Sequence, residues 1–349
     1  METGHVFDRF PYLALKLELN LEVEMIIVTG GAGFIGSAII WGLNQRGIHD
    51  ILVVDDLGED EKWKNLRSLK FADYLDKSDF LELVKSGCIR GDVETIFHLG
   101  ACTDTTEMDA GYLLWNNFEY TKELALYAIK KGIRFIYASS AATYGDGSQG
   151  FSDDHEELER LVPINPYAYS KHLFDLWALR KGLLDKIAGL KYFNVYGPNE
   201  YHKGEMRSMV LKAYEQIKDV GYVRLFKSHR PDFRDGEQRR DFIYVKDAVR
   251  MSLFFMDNRD VNGIFNVGTG KARTFNDLVK AVFDALGLEP RIEYFDMPPE
   301  LRDQYQYFTQ AEMDKLRAAG GPIETTPLED AVREYVLEYL EKKAHLSSL

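Results

Sequence analysis

Cysteine is nearly missing from this chain: 349 residues carry two, Cys88 and Cys102, and neither stands at a metal-ligand spacing. That excludes a disulfide scaffold and a thiolate metal centre, and it fits a reducing compartment. No apolar run approaches the roughly 18–20 residues that cross a bilayer, so no membrane partner is expected. Positive charge is in deficit, with 43 Lys and Arg against 56 Asp and Glu and a net charge of −13. Such a balance argues against nucleic acid as a partner. Internal repeats and low-complexity tracts are missing too. What is left is an ordinary globular composition, 45% hydrophobic and 28% charged, with core enough for one large α/β domain or two intimately joined ones. The expected address is the cytoplasm. Residues 1–24 contain acids and lack both the apolar stretch and the small-residue cleavage site of a signal peptide. They are expected to form an extension outside the catalytic fold, which begins at Met25.

The stretch that organises the rest is Val28-Thr-Gly-Gly-Ala-Gly-Phe-Ile-Gly36, preceded by the apolar Met25-Ile26-Ile27 and followed by apolar residues at helical spacing. It reads as strand, tight glycine turn and helix. Gly30, Gly33 and Gly36 let the backbone approach a pyrophosphate, with the N–H groups around Phe34 and Ile35 at the helix N-terminus facing the anion. A second β-rich run, Ile51-Leu-Val-Val54, ends in Asp55, at the distance expected of a ribose-binding acid, and Asp56 follows it. A further buried strand, Thr95 to Leu99, ends at Gly100-Ala101, small residues beside which a cofactor can pass. Asp73 is placed either to meet an adenine amino group or to cap a turn. Strands alternating with helical patterns predict a Rossmann-type doubly wound parallel sheet with a smaller α/β substrate-binding lobe. The expected division is 25–195 plus 241–268 for the dinucleotide half and 196–240 plus 269–349 for the lobe.

Two further segments carry chemistry. Ser140 closes the strand Arg134–Ala138, and Pro166-Tyr-Ala-Tyr-Ser-Lys171 opens a helix. Tyr167 and Lys171, four residues apart, share a helix face. A phenol is a poor base at neutral pH unless positive charge nearby favours the phenolate, and the Lys171 ammonium and an oxidised nicotinamide both supply it. Ser140 can hydrogen-bond the same substrate oxygen. The combination with the glycine turn predicts a nicotinamide redox site. A dinucleotide-binding sensor without catalysis would have no use for Ser140, Tyr167 and Lys171 together.

These residues, with Ser139-Ser-Ala-Ala-Thr-Tyr-Gly145 and Tyr192-Phe-Asn-Val-Tyr-Gly-Pro198, resemble the extended short-chain dehydrogenases/reductases that act on nucleotide sugars. More narrowly the chain is similar to the ADP-L-glycero-D-manno-heptose 6-epimerase family. That likeness is carried by His98 to Glu107, Asn116-Asn117, Tyr201-His-Lys-Gly204, Arg240 to Val245, Gly268-Thr-Gly270, Tyr305 to Gln310 and Leu316 to Gly320. It runs from Met25 to about Leu340. The resemblance implies epimerisation at C6″ of an ADP-heptose by transient oxidation to a 6-keto sugar and re-reduction on the other face, supplying lipopolysaccharide core heptose. It implies Tyr167 as one proton-handling group and Lys203 as the other, Lys203 being alternatively a phosphate contact. It also implies cofactor contacts at Leu99, Asn116, Val195 and Lys203, substrate contacts at Asn194, Glu205, Lys212, Phe226, Lys227, Ser228, Arg240 and Tyr305, and a homo-oligomer, typically a pentamer.

The family's cofactor is NADP. Asp55 and Asp56 would repel a 2′-phosphate and favour NAD, but Lys62 and Lys77 stand where the family offsets that charge, so NADP is expected with NAD possible. Dehydratases of the superfamily place Asp-Glu where this chain has Ala141-Ala142, which leaves elimination without its acid and base. A UDP-hexose 4-epimerase type of nucleotide-sugar epimerase or reductase is the alternative. Between His202 and Arg240 ten Lys and Arg face six Asp and Glu, a basic island suited to a sugar-nucleotide diphosphate. Glu205, Lys212 and Leu99 depart from the common Ser, His and Glu of the family.

Overall fold

The computed structural model describes residues 25–89, 92–302 and 305–348, so the expectation for residues 1–24 lies outside them. Met25–Thr29 (β1) and Ile51–Asp55 (β2) are buried along their whole length, as strands covered on both faces must be. They join Asp73–Asp76 (β3), Val93–His98 (β4), Arg134–Ser140 (β5), Ala188–Tyr192 (β6) and, later in the chain, Gly263–Val267 (β10). The seven form one sheet in the order β3-β2-β1-β4-β5-β6-β10, and every pairing is parallel. This is the doubly wound Rossmann-type sheet expected from the alternation of elements.

Helices cover both faces. Phe34–Gln45 (α1) follows β1, Lys77–Ser86 (α2) follows β3, Tyr120–Lys131 (α3) follows β4 and Pro166–Arg180 (α4) follows β5. After Met209–Val220 (α5), the helix Val245–Asp257 (α6) packs on α1, whereas α2 packs on α3. Because β2 and β3 lie to one side of β1 and β4 to the other, the chain reverses direction across the sheet there. A crevice opens at the carboxyl ends of β1 and β4, the usual ligand position in such sheets.

The lobe grows out of the same end. β6 stops at Tyr192, and after Phe193 the chain leaves the sheet as Asn194–Tyr196 (β7). β7 pairs in parallel with Arg239–Tyr244 (β9), and β9 in antiparallel with Ala272–Thr274 (β11). Val223–Phe226 (β8) and Ile292–Phe295 (β12) make a separate parallel pair. The strand at Phe242–Tyr244, grouped by its sequence with the dinucleotide half, therefore belongs to the lobe sheet. Asn194 is in register with Phe242 and Val195 with Ile243, so the exit of β7 draws β9 with it. Within 241–268 the strand that returns to the main sheet is β10.

The helical run from Ala110 to Lys131 is interrupted. Ala110–Leu113 is α-helical, Leu114–Glu119 is a π-helical turn and α3 continues from Tyr120. Hydrophobic periodicity does not register such a bulge, because one wide turn barely displaces the apolar stripe that follows.

Candidate active site

The glycine turn joins β1 to α1 with Gly30 in a left-handed conformation, φ +66°. A Cβ on Gly30 would lie 2.6 Å from the backbone nitrogen of Gly100, so the ends of β1 and β4 approach as closely as they do only without side chains. Gly33 caps α1 and contributes no side-chain cap, and the first turn of α1 holds no acid. Its N–H groups, without intrahelical partners, face the crevice and are suited to phosphate oxygens. Asn65 Nδ2 donates to Ala32 O (2.9 Å) and to Asn199 O (3.0 Å), tying this turn to the segment that carries Lys203.

The next two strand ends supply charge. Asp55, at the end of β2, accepts from the Ala32 N–H (2.8 Å) and the Asp56 N–H (2.8 Å), and it pairs with Lys62 at 3.0 Å. Asp56 pairs with Lys77 at 3.1 Å, and that contact holds its carboxyl below the usual range. Lys77 also reaches Asn116 Oδ1 at 3.5 Å. Both acids at the end of β2 are thus neutralised by lysines. Asp73 instead accepts from the N–H of Tyr74 and does not line the crevice.

At the carboxyl end of β5 the catalytic candidates meet. Ser140 Oγ accepts from the Ala142 N–H (3.1 Å), which leaves its own proton for a neighbour in the cleft. Tyr167, at the start of α4, is buried, and burial pushes its phenol up while a hydrogen bond with Ser140 opposes the rise. Lys171 Nζ donates to Ala138 O at 2.9 Å, and burial pulls it down to about 8. The sequence argument had the lysine lowering the phenol. Burial dominates instead, and the contribution that opposes it comes from Ser140. Lys203 lies 5.4 Å from the centre of the Phe34 ring, and burial lowers it too.

One cleft of about 810 Å³ is lined by every residue assigned above to cofactor binding or catalysis, from Gly30 and Asp55 to Val195 and Lys203, and by Asn194. The remaining substrate candidates divide. Arg240, buried on β9, sits 5.1 Å from the Tyr305 ring and 5.7 Å from that of Phe275, and no carboxylate among the described residues pairs with it. Phe226 packs 6.1 Å from Tyr305, and Ser228 N–H donates to Asp235 (2.8 Å) in the adjoining loop. Lys227 pairs with Asp296 at 3.5 Å, and Glu205 and Lys212 pair with each other at 3.1 Å without lining the cleft. Much of the basic island is likewise spent in exposed pairs such as Arg207 with Glu215 and Arg230 with Asp232.

Three parts of the site carry no chemical signature in the sequence. Asn117, brought inward by the π-turn, accepts from Cys102 N–H (2.8 Å) and donates to Cys102 O (3.0 Å) and Ser170 Oγ (3.0 Å), joining the turn after β4 to the Tyr167 helix. Its signal is the Asn116-Asn117 doublet on an otherwise apolar helix face. Gln306 lines the cleft and donates to Gly145 O. Cys102 lines it as well, with a thiol pushed up by burial. Among the described residues no group of side chains is arranged to hold a metal ion, and no helix is long and apolar enough to cross a membrane.

Residues 26–268 match the model of the NAD dependent epimerase/dehydratase family. The chain is 59% identical to a protein of Nitratidesulfovibrio vulgaris named ADP-L-glycero-D-manno-heptose-6-epimerase, over 90% of this chain and 98% of that one. Among solved structures it is similar to the Helicobacter pylori protein of the same name, with a TM-score of 0.74 and 27% identity over 91% of this chain and 96% of that one. It is also similar to a Thermus thermophilus UDP-glucose 4-epimerase in complex with NAD, with a TM-score of 0.70 and 26% identity over 89% and 97%.

A Gly30→Ala substitution adds a Cβ against Gly100 and forces an L side chain into a left-handed backbone. The expected cost is about 2–4 kcal/mol, roughly thirty-fold or more in dinucleotide affinity by calorimetric titration. Unchanged affinity in a folded variant would contradict the cradle.

Proposed function

From the premise that the chain belongs to the NAD dependent epimerase/dehydratase family, we propose that it is an ADP-glycero-manno-heptose 6-epimerase, converting the D,D form to the L,D form at C6″. The observation that carries this reading is the cleft itself, whose walls include Ser140, Tyr167, Lys171 and Lys203 together. Its likeness to the heptose epimerase of N. vulgaris supports the substrate. Ala141 and Ala142 in place of an acid pair favour epimerisation over dehydration.

The dinucleotide would lie along the glycine turn, Asp55, Lys62 and Lys77, with its nicotinamide toward Lys171, and when bound it supplies a reversible hydride acceptor and a positive ring charge. The chain's own residues handle the proton. Tyr167, on the helix that carries Lys171, takes the proton from the C6″ hydroxyl of the epimer that faces it. The forward return of a proton falls to the other face, and both proton-handling groups re-equilibrate with solvent between turnovers. In the reverse direction Tyr167 gives a proton to the carbonyl oxygen. Ser140 orients that oxygen. Inverting the centre requires the sugar to present its other face, where the hydroxyl points away from Tyr167. Lys203, lowered by burial, is the proton-handling group there. Arg240, buried with no carboxylate partner among the described residues, takes the diphosphate, and Tyr305 and Phe226 flank the nucleotide.

We further infer NADP as the cofactor, with NAD possible, because the pairs Asp55 with Lys62 and Asp56 with Lys77 remove the repulsion two acids would exert on a 2′-phosphate. The same reading gives a cytoplasmic enzyme supplying lipopolysaccharide heptose, assembled as a homo-oligomer, a pentamer in the family it resembles. Within it, 25–193 with the strand β10 serve the dinucleotide, and the remainder from β7 onward, including β9, serves the sugar nucleotide.

Incubation of the purified protein with either ADP-heptose epimer, without added cofactor, is expected to yield both epimers by proton NMR, and UDP-hexoses are expected to remain unchanged. Tyr167→Phe and Lys203→Met should each lower kcat by about 10²–10⁴-fold. Interconversion of UDP-hexoses alone, or full turnover by Tyr167→Phe, would contradict the reading. In titrations of the cofactor-free protein, NADP should bind more tightly than NAD, and Lys62→Ala should weaken NADP about tenfold or more while sparing NAD. Equal losses for both would contradict the assignment. Because activity needs the Lys171 ammonium, kcat/KM should fall as pH rises through about 8. Lys171→Arg, whose guanidinium stays charged, should move that descent upward. A profile flat to pH 9.5 would contradict the role given to Lys171.

A further inference from the structure

Behind Ser140 and Lys171 lies a charged pair that touches neither cofactor nor substrate positions. Lys191 on β6 and Asp175 on α4 are both fully buried, with Nζ 3.0 Å from Oδ2. Removing two charges from water is costly, and their attraction offsets it only when the remaining hydrogen-bonding positions are filled. Here they are filled. Asp175 accepts from Tyr137 OH (2.9 Å) and from Ser139 Oγ (2.7 Å). Lys191 donates also to Thr143 Oγ1 and lies 4.9 Å from the centre of the Tyr144 ring. Thr143 in turn donates to the carbonyl of Ser140 at 2.7 Å.

The direction of these bonds is informative. Asp175 stands one turn beyond Lys171 on the helix that also carries Tyr167. Its contacts to Ser139, and those relayed through Lys191 and Thr143, end on the short stretch that presents Ser140. Apolar side chains would fill the same volume without the desolvation cost, so filling space does not account for the pair. Ser140 and Tyr167 come from different elements, and their shared grip on one substrate oxygen depends on how those elements are held. The Asp175 carboxylate additionally opposes the burial-driven fall of the Lys171 proton affinity.

We propose that Asp175 and Lys191 are positioning residues for this reaction: with Thr143 they lock the end of β5 and the 3₁₀ turn after it onto α4, holding Ser140 and Tyr167 in the geometry of the redox step. The proposal rests on the reading of the cleft given above. Three variants test it by NMR-followed epimer interconversion and thermal unfolding. Thr143→Val breaks the relay without touching a charge, Asp175→Asn with Lys191→Met removes both charges together, and Lys191→Arg keeps the cation.

Thr143→Val should lower kcat about tenfold, and the double variant about 10²-fold, with KM within about twofold and each protein folded. Lys191→Arg should retain kcat within about threefold. Wild-type kcat in Thr143→Val and the double variant, or Lys191→Arg as impaired as the double variant, would overturn the proposal. So would a lowered melting temperature with unchanged kcat and KM, the mark of a purely structural pair. A crystal structure of Thr143→Val, or of the double variant, provides an arm independent of turnover. Ser140 is expected displaced relative to Tyr167, and an unmoved Ser140 would overturn the proposal even if the wild type fails to interconvert the epimers. That last failure would count against the function alone.

Discussion

Two glycines meeting where the sheet reverses direction set the terms for the whole site. Gly30 and Gly100 follow their strands so close together that a Cβ on Gly30 would lie 2.6 Å from the Gly100 backbone nitrogen. The residues just before them are clasped. Thr121 gives its hydroxyl proton to Asn117 O (2.7 Å), so it accepts from His98 Nε2–H (2.8 Å). His98 Nδ1 then accepts from the Thr29 hydroxyl (2.6 Å), whose oxygen receives the Gly100 N–H (3.3 Å). The hydrogen-bond set thereby assigns one tautomer, and burial holds the imidazole neutral by pulling it down to about 3. This buried, uncharged clasp ties the ends of β1 and β4 together at the floor of the crevice.

Those charges are distributed unequally, and the inequality reads as chemistry. At the end of β2 each acid has its lysine, so the local field is balanced. Toward the lobe, Arg240 is buried between aromatic rings with no carboxylate partner among the described residues, an arrangement suited to an anion. Between them, two lysines of the cleft, Lys171 and Lys203, have their proton affinities lowered by burial, which suits groups that must support or exchange a proton near neutrality.

Much of this was legible in the residue order. The glycine turn, the acid closing β2 and the Tyr167 and Lys171 spacing each reflect a local backbone or helix-face requirement, and local requirements survive in sequence. The main sheet was legible for the same reason, since strands buried on both faces read as unbroken apolar runs. What escaped depends on contacts distant in sequence. Nothing around Phe242 announces that β9 will pair with β7 rather than join the main sheet. The π-turn at Leu114–Glu119 leaves the apolar stripe intact, and the inward turn of Asn117 is visible only once Cys102 and Ser170 lie beside it. Nothing in the residue order marks Asp175 and Lys191 as buried, yet both are fully buried. The basic island overstated its role, because charge counting cannot tell Arg240 from lysines already paired at the surface.

The account depends on C6″ losing its hydrogen as hydride and regaining that same hydrogen within one closed cleft. Epimerisation of unlabelled ADP-heptose in deuterium oxide, followed by proton NMR and mass spectrometry, tests this directly. The predicted result is complete interconversion with no deuterium at C6″. Solvent deuterium at that carbon in the product would show removal as a proton, and would contradict the account.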